Sequence, residues 1–397
     1  MEAELIILLC GILLISYLLD LSSKFTRIPT VIWLLSMGWG LRQFSIYAQI
    51  KVPDLSGVLP IFGTIGLILI VLEGSLDLRL NKKSLPLIGS AFIMSLIPFV
   101  LFTIGFSWVL VEVEVCHWRE GLLNALPFGI ISSAIAIPSV KNYNERVRNF
   151  ITYESSISDI IGVLIFNFFL ITEIYNFSSI MGFFGEILIV VIISIGITIL
   201  LSFLLSRMNH HVKYGPILLL IVMLYGLSKL WHLPGLIFIL MFGLALSNLS
   251  YFGEWRIAKY FRPEKITAEI KQFSDIVSEA TFLIRSLFFV LFGYMIQTED
   301  LLNLTVLPWS IAIVFFLFLL RLLFLMLTKQ NLNPLLYVAP RGLITILLFL
   351  SIPAQFHLKT VNQALIIQVI LMSILLMMLG LIFYSERETI SIENEED

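Results

Sequence analysis

The chain has 397 residues, of which 59% are hydrophobic and only 13% charged, with a formal net charge of −2 and a mean hydropathy of +0.99. Soluble domains carry about 25% charged residues, so this is an integral membrane protein, and its charge balance offers no basic surface to a nucleic-acid partner. Cys10 and Cys116 lie in or beside apolar segments without CxxC spacing and the five histidines sit at loop edges, which argues against a disulfide framework or a zinc site.

A helix needs about 20 apolar residues to cross a bilayer core. On that rule the chain divides into thirteen spans, at 3–20, 28–47, 57–79, 85–113, 120–140, 147–173, 177–206, 213–231, 234–250, 272–297, 304–328, 334–354 and 360–384. The first, AELIILLCGILLISYLLD, follows an acidic residue and lacks a basic n-region, so it reads as a retained helix. In the third, Glu73 sits within IVLEGSLDLRL near the span's end. It is either part of an ion path or a helix-end residue paired with Arg79 or a serine.

The fifth span, ALPFGIISSAIAIPSV, carries Ser132 and Ser133 between Pro127, Gly129 and Pro138. Such interruptions free carbonyls and half-helix ends to line a cavity; alternatively the helix is continuous and its serines bond back to their own carbonyls. The sixth span opens with ESSISD at 154–159. Residues 251–271 are basic and amphipathic, and read as an interfacial helix or a basic loop. In the twelfth span, NPLLYVAPRGLITILLF places Pro340 and Gly342 around Arg341, which repeats the device of the fifth. Interruptions in spans five and twelve predict two inverted six-helix repeats joined by the seventh helix. The acidic tail, 386–397, reads as disordered.

Charge alternation gives the orientation. With the N-terminus outside and the C-terminus cytoplasmic, most basic residues fall in cytoplasmic loops, against Arg42, Lys51, Arg119, Lys229 and Lys359 outside. The expected location is a plasma membrane, the inner one in a bacterium, in a single transmembrane domain surrounded by lipid.

Ionisable groups at membrane depth cost at least about 2.5–3.5 kcal/mol on insertion scales and mark ion or proton pathways. Here they are Glu73, Glu154, Asp159, Asp275, Glu279, Arg285, Arg321 and Arg341, with Glu186 nearer a helix end. At 100° per residue, Ser155 and Asp159 share a helix face, whereas Glu154 and Asp159 diverge by about 140°. One carboxylate can therefore pair with an arginine while the other faces a cavity. A poorly solvated carboxyl group there can trade a proton for a hard cation near neutral pH, with hydroxyl oxygens such as that of Ser155 as ligands.

Taken in order, LEGSLDL, ESSISD, EATFLIRSLFFVLFGYMI, the arginine of FLFLLRLLFL, and APRGLITILLFLSIP cover most of the chain and resemble the monovalent cation:proton antiporter family, in its sodium/proton exchanger branch. The resemblance implies an all-α homodimer whose core domain carries the ion and moves against a dimerisation domain. In the family's ExxxND motif the Asp is the ion and proton carrier, which matches Asp159. The motif's Glu matches Glu154, and its ion-pair partner matches Arg321. Ser155 matches a coordinating hydroxyl, and Glu73 the span-three acid. Two departures stand out: Ser158 replaces the motif's Asn, and SSAIAIPSV lacks the family's Thr-Asp-Pro. Ser132 and Ser133 can replace the lost hydroxyl, but nothing replaces the acid that balances Arg341, which is left to compensate a half-helix dipole.

The expected function is secondary antiport of a monovalent cation, Na⁺ first, against H⁺, with Asp159 holding one or the other. With one such carboxylate, and Glu154 neutralised by Arg321, exchange should be one-for-one and electroneutral. K⁺ or mixed exchange is the alternative within transport, and an ion-gated sensor or channel the alternative outside it. No cofactor is implied beyond the transported ions, and no clustered site suggests an enzyme.

Overall fold

The computed structural model describes residues 2–26, 28–49, 57–78, 84–141, 143–172, 177–207, 214–230, 235–248 and 263–393. It contains helices α1 (Glu2–Thr26), α2 (Thr30–Tyr47), α3 (Leu59–Asp77), α4 (Leu85–Glu114), α5 (Trp118–Gly129), α6 (Ser133–Ser139), α7 (Glu145–Ile171) and α8 (Phe177–Arg207). These are followed by α9 (Tyr214–Leu230), α10 (Gly235–Ser247), α11 (Pro263–Met295), α12 (Thr298–Leu301), α13 (Leu307–Leu327), α14 (Leu343–Ser351) and α15 (Gln363–Glu393). No strand occurs among the described residues. Prolines open several helices, at Pro60, Pro86, Pro263 and Pro308, where the missing N–H falls among donors the first turn leaves unpaired anyway.

Among the described residues, eight helical segments are long and apolar enough to cross a membrane, and Leu9–Ser22, α9 and α10 are shorter apolar helices. Spans five and twelve are each broken. The chain leaves helical geometry after Gly129 and resumes at Ser133, with Ile130 and Ser132 extended. In the twelfth, turns and irregular backbone occupy 334–342 and helix begins only at Leu343.

The chain forms two compact units, Met1–Gly63 with Gly89–Gly162 and Leu283–Asp397, and Thr64–Ile88 with Val163–Phe282. In the first, α5 packs on α14 and α13 on α15. Phe106 meets Phe128 edge-on at 5.8 Å, and Phe102 lies 5.9 Å from Phe316, so α4, α5 and α13 share an aromatic core. Helices α2 and α11 cross at Gly38 and Gly293 so closely that a Cβ on Gly38 would lie 2.1 Å from the Val290 carbonyl oxygen. Just beyond the crossing, Arg42 donates to the carbonyls of Tyr294 and Met295 at the end of α11. In the second unit, α10 packs on α8 and α9, and the Asn248 amide donates to the Leu78 carbonyl at 2.9 Å.

Two expectations are corrected. Of the amphipathic stretch 251–271, residues 251–262 lie outside the described residues, while 263–271 are the first turns of α11 rather than a separate interfacial helix. Pro263 starts that helix and nothing in KITAEIKQF stops it. The acidic tail is helical to Glu393, because no Pro or Gly follows Gly380 to end α15. Asp275 and Glu279 are exposed on α11, and Arg285 is half-buried.

Candidate functional site

Helix α7 begins where the Asn144 side chain accepts the Val147 N–H at 2.9 Å, an N-cap. Three turns on, it buries a run of polar residues: Glu154, Ser155, Ser156, Ser158 and Asp159 are each at most 4% exposed. Burial of so many polar groups requires that their partners be supplied by the fold.

Glu154 faces α13. The Arg321 guanidinium donates to it in a fork, Nη1 to Oε1 at 2.7 Å and Nη2 to Oε2 at 2.9 Å. Arg321 also donates from Nε to the Leu335 carbonyl at 2.7 Å and from Nη2 to that of Val338 at 3.1 Å. The pair thus joins α7, α13 and the unwound stretch before α14, and satisfies carbonyls that have no helical donor.

Asp159 faces the other break. Its Oδ2 accepts a short hydrogen bond from the Ser133 hydroxyl, the first residue of α6. Its Oδ1 is buried with no hydrogen-bond partner. The neighbouring Ser158 Oγ accepts the Ile131 N–H at 3.0 Å, which holds the extended segment against α7. One turn later Gly162 lets Ile130 approach, since a Cβ there would lie 2.2 Å from Ile130 Cδ1. The Ser155 hydroxyl donates to the Ile151 carbonyl at 2.7 Å, which leaves its lone pairs for another partner.

The two breaks meet directly. The Ser132 N–H donates to the Pro340 carbonyl at 2.8 Å, and a Cβ on Gly342 would lie 2.8 Å from Ser132 Oγ and 2.6 Å from Ile135 Cδ1. Ser132 Oγ itself is buried without a hydrogen-bond partner. Arg341, 5% exposed, forms no ion pair with a carboxylate among the described residues. Its Nε donates to the Phe128 carbonyl, in the last turn of α5, at 2.8 Å, its Nη1 to the Ala339 carbonyl, and its backbone N–H to Ser373 Oγ. A cation on the final carbonyls of a half helix is favoured by the helix dipole.

Asp159, Ser132, Ser133 and Ser158 are thus brought together around the first break, and Glu154 and Arg321 form a separate pair. Glu73 belongs to the second unit, where it is half-buried on α3. Sequence reasoning did not single out Thr345, whose hydroxyl is buried without a partner one turn into α14, or Ser373, which holds the Arg341 backbone. The one available signal was a lone hydroxyl in each apolar run, LITILLF and LMSILLM. Chemically, the break offers one carboxylate oxygen and one hydroxyl oxygen without hydrogen-bond partners, in a setting that excludes bulk water. Oxygen ligands of this kind suit a proton or a hard monovalent cation.

A model of the transmembrane sodium/hydrogen exchanger family matches residues 10–384. Among solved structures, the sodium proton antiporter MjNhaP1 from Methanocaldococcus jannaschii at pH 8 superposes with a TM-score of 0.71 at 19% identity, over 95% of this chain and 97% of that one. A second structure of that antiporter, from an electron-microscopy map, gives a TM-score of 0.71 at 18% identity, over 96% and 95%. At these identities the likeness is one of fold. No curated protein sequence matches the chain.

Proposed function

The chain belongs to the sodium/hydrogen exchanger family, a family of membrane cation/proton antiporters rather than enzymes, and from that premise we propose that it exchanges Na⁺ for H⁺ with Asp159 as the shared carrier. The observation that carries this reading is the state of Asp159: buried, bonded through Oδ2 to Ser133, and with Oδ1 left open beside the crossing of two broken segments. A carboxyl group so enclosed is neutral when protonated and neutral when it holds a dehydrated monovalent cation, but carries an uncompensated charge when empty. Only the loaded forms cross the low-dielectric interior readily, and this mutual exclusion couples the two fluxes without a further device.

Ser132, Ser133 and Ser155 supply hydroxyl oxygens to the cation, and Glu73 acts along the ion path. Glu154 and Arg321 serve structurally, since their charges cancel within a forked pair. With a single uncompensated carrier carboxylate, exchange is one-for-one and electroneutral. The loop charges favour a topology with the N-terminus outside, and a homodimer provides the fixed frame against which the carrier moves.

The test is cation-induced pH change in everted vesicles with Na⁺, Li⁺ and K⁺ in turn. Exchange by the wild type with Na⁺ or Li⁺ that vanishes in Asp159→Asn supports the proposal. Undiminished exchange in Asp159→Asn overturns the carrier assignment, and a preference for K⁺ overturns the choice of sodium.

A further inference from the structure

Beside the crossing lies a cavity of about 40 Å³, within the first unit, between α4, α13, α15 and the two breaks. Its wall includes both buried arginines, Arg321 and Arg341, together with Ser95 and Ser373. A water molecule needs about 10–15 Å³ of such space, so the cavity has room for a halide ion or two to three waters.

The charges on its wall do not balance. Arg321 is matched by Glu154, but no carboxylate among the described residues pairs with Arg341. The end of α5 contributes about half a negative charge through the Phe128 carbonyl, and Glu154 attracts Arg341 while Arg321 repels it, so the buried guanidinium is left without an acid of its own. Arg341 uses Nε and Nη1 on backbone carbonyls, and its Nη2 makes no hydrogen bond. Two guanidinium groups on one small cavity also repel each other in a low-dielectric setting. The serine hydroxyls cannot donate to an occupant, because Ser95 donates to the Phe92 carbonyl and Ser373 to that of Ile370. Arg341 Nη2 is therefore an unspent charged donor on a wall that also carries Tyr337, and it calls for a negative partner.

We propose that this cavity binds a small inorganic monovalent anion, chloride, which neutralises Arg341 as a mobile counter-ion. The site requires neither ion exchange nor Asp159, so it stands or falls apart from the transport mechanism.

The experiment uses the purified full-length chain in detergent, prepared without chloride and held at constant Na⁺ and ionic strength while chloride replaces gluconate. A saturable rise in Tm of about 2–4 °C is expected, and bromide should reproduce it. Ser95→Asp places a tethered carboxylate on the same wall and should abolish the response. Because that variant can fail to fold, the second measurement is anomalous scattering from bromide-soaked crystals of the wild type, with a peak expected between Arg321 and Arg341. Equal melting in chloride and gluconate, a chloride response retained in folded Ser95→Asp, or no bromide peak in this cavity would each show that water fills it and overturn the proposal.

Discussion

The backbone N–H of Ser132 donates to the carbonyl of Pro340 at 2.8 Å, so the breaks in two segments far apart in sequence are tied to each other by main chain. That approach depends on Gly342, where a Cβ would meet Ser132 Oγ and Ile135 Cδ1 at under 3 Å. Both neighbours are side-chain ends, so Gly342→Ala should be tolerated with a small loss of stability. Gly342→Val should cost about 1–3 kcal/mol and separate the breaks, seen as a lower Tm together with reduced exchange per folded protein.

Glu154 and Arg321 make a different demand on the fold. Breaking a buried, forked pair by Glu154→Gln leaves the Arg321 charge unmatched and should destabilise by about 3–5 kcal/mol. The paired change Glu154→Gln with Arg321→Met should recover part of that loss. A double-mutant cycle of melting in detergent checks this, and additive losses would show that the two groups do not act as a unit.

Ser133 donates a hydrogen bond to the Asp159 carboxylate. Its loss leaves both carboxylate oxygens without a hydrogen-bond partner, so Ser133→Ala should raise the apparent KM for Na⁺ several-fold at fixed pH. Exchange measured across a Na⁺ series in vesicles reads the change; an unchanged KM would contradict the role of this hydroxyl.

Thr345 offers a buried hydroxyl with no partner on α14. If the hydroxyl ligates the cation, Thr345→Val, which keeps the shape, should raise the apparent KM for Na⁺ several-fold while leaving or slightly raising Tm, because an unsatisfied polar group is removed. An unchanged KM would assign Thr345 to packing alone.

The crossing of α2 and α11 sets a purely structural limit. A Cβ on Gly38 would strike the Val290 carbonyl oxygen at 2.1 Å, and one on Gly293 the Leu35 carbonyl oxygen at 2.4 Å. Backbone cannot swing aside as a side-chain end can, so Gly38→Ala or Gly293→Ala should each cost more than Gly342→Ala. Melting of the three variants side by side ranks them.

Much of this was legible in the residues. Long apolar runs determined a helical membrane protein, because the bilayer core demands helices of that length and composition. Pro127, Pro138, Pro340 and Gly342 marked the two segments where an interruption is favoured, but not the breaks themselves, since Pro127 and Pro138 lie inside α5 and α6 and Pro98 lies inside an unbroken α4. The spacing in ESSISD separated Glu154 from Asp159, since five residues on a helix turn the side chain to another face.

What the residues alone did not determine is which groups meet. Arg341 finds the carbonyls of Phe128 and Ala339 rather than an acid, and a carbonyl, being present in every residue, leaves no mark in a sequence. The pairing of Ser132 with Pro340 and the cavity between the two arginines arise from the crossing of segments some two hundred residues apart. That geometry is set by how small residues let backbones approach, a property of the packed chain and not of any local run within it.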